Sequence, residues 1–169
     1  GVHSLMEGRK VLYVSLEMSE DKIAQRFDSV MTLINQRNLP TKQQVLMERL
    51  EVFKDKFPGG NLIIKEFPTG IASVSTIRSL LSQLKNFEGF IPDLLIVDYL
   101  ELLSCSREGP EYQVQELIAR VHRGLAVEHK MLVWTTTRTN REGARVNIIT
   151  DAGLCESYGK FRTVDYAVS

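Results

Sequence analysis

Short apolar runs, each followed by a stretch with helical spacing, constrain this chain more than any other feature. Val11–Leu16 (VLYVSL), Asn61–Lys65 (NLIIK), Asp93–Val97 (DLLIV) and Met131–Trp134 (MLVW) are dense in Val, Ile and Leu. Nearly continuous apolar strands of this kind belong to sheets covered on both faces. Between the first two runs, Ser19 is predicted to cap a helix, with Glu20 and Asp21 in the first turn, where acids suit the dipole. Ile23, Phe27, Val30, Met31 and Ile34 carry that helix to about Asn35. Pro40-Thr41 breaks it, Val45, Leu46, Leu50 and Phe53 mark the next, and Pro58-Gly59-Gly60 ends that one. Ser75 is expected to cap a helix bearing Ile77, Leu80, Leu81 and Leu84. Val114, Leu117, Ile118, Val121 and Leu125 mark a longer helix. Further on, Asp151 is expected to cap a short helix and Val164–Val168 to form a fifth strand. Strand and helix alternating in this way predict an α/β fold, a parallel sheet with helices on both faces. The 169 residues suit one domain, long enough to bury a core without staples.

Charge narrows the function. Lys+Arg and Asp+Glu both number 21, so no overall basic footprint advertises a protein that coats nucleic acid. A protein that grips it through a few loops remains open. No apolar stretch is long enough to span a membrane, and the start lacks the apolar segment of a signal peptide. Cys105 and Cys155 make neither a disulfide framework nor a zinc site, which points to a reducing cytoplasm. His3, His122 and His129 lack metal-ligand spacing, and no Cys-His or Ser-His-Asp arrangement is present. Trp134 and Phe87 read as core residues.

In parallel sheets, ligands sit at the carboxyl ends of the strands. After the first strand comes Glu17, either a general base that activates water or a surface glutamate ahead of a helix. The third strand runs into Asp98, the shape of a Walker B strand, whose Asp holds Mg²⁺ beside nucleotide phosphates. Its other reading is an Asp that caps the following turn. The fourth strand ends in Thr135-Thr136-Thr137-Arg138, hydroxyls and a guanidinium able to meet a phosphate, or a solvated polar strand end. Arg138–Arg145 carries a local charge of +2 with Gly143 inside it, a loop suited to a nucleic-acid backbone or merely to water.

Five segments in order, VLYVSLEMS (11–19), EFPTG (66–70), IPDLLIVDYLELL (91–103), RGLAVEHKMLVWTTTRTNREG (123–143) and ESYGKFRTVDYAVS (156–169), resemble the DnaB-like replicative DNA helicases, and among them those of T-even-type phages. The resemblance covers essentially the whole chain. It implies a RecA-like motor domain using ATP and Mg²⁺, a homohexameric ring on single-stranded DNA, a cytoplasmic setting, and primase and a helicase loader as possible partners. Carried over residue by residue, it makes Glu17 the glutamate that orients the attacking water and Asp98 the aspartate associated with Mg²⁺ through water. Arg138 stands where the family has a γ-phosphate-sensing glutamine. Around 104–113 and 140–147 lie the two DNA-facing loops, with Arg107, Arg141 and Arg145 as phosphate contacts.

Three departures stand out. The phosphate loop GxxxxGK(S/T) does not occur, so residues 1–169 are read as a partial motor domain, with Gly1–Gly8 as the tail of the helix that follows that loop. The arginine-finger segment is missing at the other end, and the 169 residues alone are expected to be inactive. Arg138 is a permanent cation that cannot accept a hydrogen bond as glutamine does. Two rival readings stay open: a RecA- or KaiC-type ATPase of recombination or signalling, and a non-hydrolysing RecA-like module that regulates a helicase.

Overall fold

Four parallel strands form one sheet in the order β2-β1-β3-β4 in a computed structural model that describes residues 1–104, 110–137 and 163–168. The elements are α1 (Val2–Met6), β1 (Lys10–Ser15), α2 (Glu20–Thr32), α3 (Gln43–Lys56), β2 (Asn61–Glu66), α4 (Val74–Glu88), β3 (Leu94–Asp98), α5 (Glu111–His129) and β4 (Leu132–Thr135). Short 3₁₀ turns occupy Gln36–Asn38 and Leu100–Leu102. The predicted α/β parallel sheet is therefore present, and its strands lie within a residue or so of the apolar runs.

Each face of the sheet has its own core. Leu12 and Val14 of β1, with Leu95 and Val97 of β3, pack under Ile77, Leu80, Leu81 and Leu84 of α4 and Ile118 and Leu125 of α5. On the opposite face Val11, Leu94 and Ile96 meet Leu5 of α1 and Ile23 and Phe27 of α2. Alternation along a strand produces this division, because successive side chains point to opposite faces. A fully buried Leu or Ile contributes about 1.5–3 kcal/mol relative to exposure, so these two layers hold β1 and β3 in place. Gly60 lets β2 start close under α1, since a Cβ there would collide with the Leu5 carbonyl.

Several local expectations need correction. The cap of α4 is Ser73: its Oγ accepts from the Thr76 N–H, while Thr76 Oγ1 accepts from the Ser73 N–H at 3.1 Å. That reciprocal pair is a capping box with Thr in place of the usual acid, and it puts Ser75 inside the helix. Helix α2 ends at Thr32, because Leu33 turns left-handed (φ 57°) and Asn35 caps the next turn through the Arg37 N–H. Val30, inside α2, is exposed, and Ile34 reaches the core from outside the helix.

Phe87 and Trp134, both assigned to the core, are 85% and 52% exposed. Phe87 continues the 77-80-81-84 stripe of α4 by spacing, but it lies one residue from the end of the helix and is not part of the core cluster there. Trp134 lies on β4, which pairs only with β3 among the described residues, on the face opposite Val133. The expected strand at Val164–Val168 is absent. A strand exists only through a ladder with a neighbour. This segment is tethered by Arg123 instead, which donates to the Thr163 carbonyl (2.8 Å) and pairs with Asp165 (2.8 Å), leaving Tyr166 and Val168 exposed. The helix expected at Asp151 lies outside the described residues.

Candidate functional site

The strand order reverses between β1 and β3. From β1 the chain leaves toward α2 on one face; from β3 it leaves toward α5 on the other. Diverging connections open a crevice at the carboxyl ends, the usual ligand position in such sheets. Register places Ser15 beside both Glu66 and Asp98, and Val97 beside Thr135, so Glu66, Ser15, Asp98 and Thr136 line up along that rim.

The loop after β1 is built to present Glu17. Ser15 is fully buried and its Oγ accepts from the Met18 N–H at 3.0 Å, which closes a tight turn. Leu16 is buried beneath that turn; its N–H donates to the Asp98 carbonyl (2.9 Å) and its carbonyl accepts from Thr69 Oγ1 (2.7 Å). With both neighbours tied down, Glu17 is the exposed crest, and its carboxylate has no hydrogen bond or ion pair among the described residues. Ser19 does take the cap position of α2, but without a side-chain hydrogen bond. Glu66 at the end of β2 replaces it: its carboxylate accepts from the Glu20 N–H at 3.3 Å, and Glu20 returns the contact to the Glu66 N–H at 3.1 Å. A carboxylate at this helix start also suits the dipole.

Asp98 has the opposite character. Its side chain is half-buried on the α2 face, and both oxygens are held. Tyr13 O–H donates to Oδ2 at 2.6 Å, and Thr136 Oγ1 donates to Oδ1 at 2.9 Å. Burial pushes the Tyr13 phenol well above its ordinary value, and the hydrogen bond to Asp98 and its negative charge add to that; Arg26 opposes them. The phenol therefore stays protonated and remains a donor. Sequence reasoning missed Tyr13, although its place two residues before the end of β1, on the same face as Asp98, was readable from strand alternation. The threonines expected to meet a phosphate are committed within the fold: Thr135 Oγ1 donates to the Val97 carbonyl (2.9 Å), Thr136 to Asp98, and Thr137 to Glu101. The peptide between Asp98 and Tyr99 is cis.

Of the sequence-predicted residues, Glu17 and Asp98 are thus brought to one crevice. Arg107, Arg138, Arg141 and Arg145 lie outside the described residues. Among the described residues no three His, Cys, Asp or Glu side chains are grouped to hold a metal ion. A lone carboxylate such as Asp98 nonetheless fits Mg²⁺, which keeps several waters and takes its remaining ligands from phosphates rather than from a protein cage. A separate concavity of about 510 Å³, lined by Leu5, Phe53, Phe57 and Leu62 among others, lies by the amino end of β2, away from this rim. No helix among the described residues is long and apolar enough to cross a membrane.

Comparison with known proteins matches this geometry to a family. The chain is 31% identical over 172 residues to the DnaB-like replicative helicase of Enterobacteria phage T4, an alignment covering 98% of this chain and 36% of that protein. Among solved structures it superposes on a DnaB-like replicative helicase described with its interactions with primase. That match has a TM-score of 0.75 and 19% identity, over 95% of this chain and 40% of that one. It superposes equally on an ATPase domain, with a TM-score of 0.78 and 18% identity, over 97% of this chain and 60% of that one. At those identities the structures speak for the fold alone, which is that of these ATPase domains. The profile of the DnaB-like helicase C-terminal domain matches residues 2–146, and the chain belongs to that family.

Proposed function

We propose that this chain is the central part of the motor domain of an ATP-dependent replicative DNA helicase, which translocates on single-stranded DNA as a hexameric ring. The observation that carries the proposal is the pair of carboxylates at the switch point: Glu17 exposed and without a partner among the described residues, in the loop after β1, and Asp98 oriented and half-buried at the end of β3, where the two connections leave the sheet in opposite directions. A free carboxylate can orient a water for attack on a phosphate, and a fixed one can hold a hydrated cation. The 31% identity to the phage T4 helicase across nearly the whole chain supports the same reading.

In this reading ATP is the substrate and Mg²⁺ the cofactor, held from Asp98 through water, where it neutralises charge on the phosphates. Glu17 positions the attacking water. Arg138 takes the γ-phosphate-sensing position. Arg107, Arg141 and Arg145 contact the DNA backbone, so affinity falls with salt. Primase and a loader are partners of the assembled protein, and the setting is cytoplasmic. Retention of both carboxylates favours hydrolysis over a non-hydrolysing regulatory role, which has no chemical need for either.

The test is Glu17→Gln in the full-length protein. Nucleotide binding persists while DNA-stimulated ATP turnover drops by about 100-fold or more, the scale of losing a positioned general base. Turnover at the parent rate refutes the assignment.

A further inference from the structure

We propose that Tyr13 is a positioning residue for Asp98, and that its hydroxyl sets the affinity of the crevice for a divalent cation bound with nucleotide. The inference rests on the reading of Asp98 as the carboxylate that holds that cation.

The geometry is specific. Tyr13 and Asp98 sit on adjacent strands, with Ser15 opposite Asp98 and Tyr13 opposite Ile96, so the phenol reaches diagonally to the strand end. The O–H···Oδ2 distance of 2.6 Å is that of a hydrogen bond to an ionised acceptor. The ring cannot swing away easily, because Phe27 of α2 packs edge-on against it, with centroids 5.8 Å apart and planes at 89°. Phe27 is itself buried beneath the start of α1, where a Cβ on Gly1 would meet its ring.

Two donors from flanking strands therefore grip one carboxylate, Tyr13 from β1 on Oδ2 and Thr136 beyond β4 on Oδ1. An ionised carboxylate has about four acceptor sites, so this grip fixes the plane of the group and leaves the other lone pairs for water or a cation. Removing one donor lets the carboxylate rotate about the remaining contact, and its ordering must then come out of binding free energy. Hydrogen-bond partners of metal-holding side chains typically change metal affinity by 10–100-fold. Because Thr136 stays in place and Asp98 reaches the cation through water, loss of the Tyr13 hydroxyl falls at the bottom of that range, about tenfold at most.

Tyr13→Phe removes one oxygen and keeps the ring against Phe27. In the full-length protein, Mn²⁺ binding in the presence of ADP, read by electron paramagnetic resonance, should show half-saturation raised by about tenfold in Tyr13→Phe. Asp98→Asn in the same assay should lose the ADP-dependent Mn²⁺ site. A purely structural role for the phenol would lower thermal stability without moving the Mn²⁺ titration. If Tyr13→Phe binds Mn²⁺ like the parent while Asp98→Asn loses it, the positioning role is overturned and the reading of Asp98 stands. If Asp98→Asn binds Mn²⁺ like the parent, both fall.

Discussion

Leu95→Ala tests whether the sheet that carries the site is held as described. Leu95 is fully buried at the centre of β3, with Leu12 of β1 and Val133 of β4 as its cross-strand partners. It lies three residues before Asp98, so any loosening of β3 is felt at the site. Truncation removes three carbons, about 2.4 kcal/mol at roughly 0.8 kcal/mol each. The cavity left between two sheet neighbours and the overlying helices collapses poorly and raises the total to about 3–4 kcal/mol. With a urea slope of about 2 kcal/mol per molar, the unfolding midpoint falls by about 1.5–2 M. Circular dichroism and the fluorescence of Trp134, on the strand beside β3, should report the same transition. Phe87→Ala is the control: the larger side chain is lost, yet it is 85% exposed, so the shift stays within about 0.25 M. A Leu95→Ala shift under about 0.5 M, or a Phe87→Ala shift as large, refutes the two-layer core.

Two further perturbations probe the helices that cover the sheet. Ser73→Ala breaks the capping box of α4 at a cost of about 1 kcal/mol; amide exchange at Thr76 should accelerate by about fivefold, and an unchanged rate removes the box. His122 is buried on α5, its Nδ1–H donates to the Ile118 carbonyl (2.8 Å), and burial lowers its pKa from the ordinary 6.5. The unfolded chain then binds more protons than the native one between pH 6.5 and the lowered value, so stability is full above pH 6.5 and is lost as pH falls through that window. Urea midpoints of His122→Gln should fall less steeply over that range than those of the parent, and parallel curves would show that His122 contributes nothing.

What the sequence disclosed follows from which signals are local. Apolar runs located β1 to β4 because all four strands are dense in Val, Ile and Leu, although only β1 and β3 are buried on both faces. The placement of Glu17 and Asp98 at strand ends was legible because a polar residue directly after an apolar run marks where a strand stops. Val164–Val168 had strand composition but no way to declare a partner, and pairing is not a local property. Trp134 and Phe87 failed for a related reason: hydrophobicity says what a residue prefers, whereas exposure depends on what the fold places over it. Ser73 was missed because Thr76 replaces the acid that marks a capping box.

The two carboxylates of the crevice are treated differently by the same strand geometry, and this difference is where sequence and function meet. Glu17 sits within a turn whose Ser15, Leu16 and Met18 are fixed, so the backbone is held while the side chain has no partner among the described residues. Asp98 lies within β3 and inherits its alternation, which puts it on the face of Tyr13 and gives it two hydroxyl donors. A group that must meet a water and a product in turn benefits from a fixed base and a free tip. A group that must hold a cation benefits from an immobile tip, because ordering it beforehand lowers the cost of binding. Exchanging these supports would be harmful at both places. A donor aimed at Glu17 would compete with the water, and a free Asp98 would have to be ordered at each binding event. In this reading the order β1-β3 contributes more than proximity: it gives each carboxylate the rigidity that its part of the reaction requires.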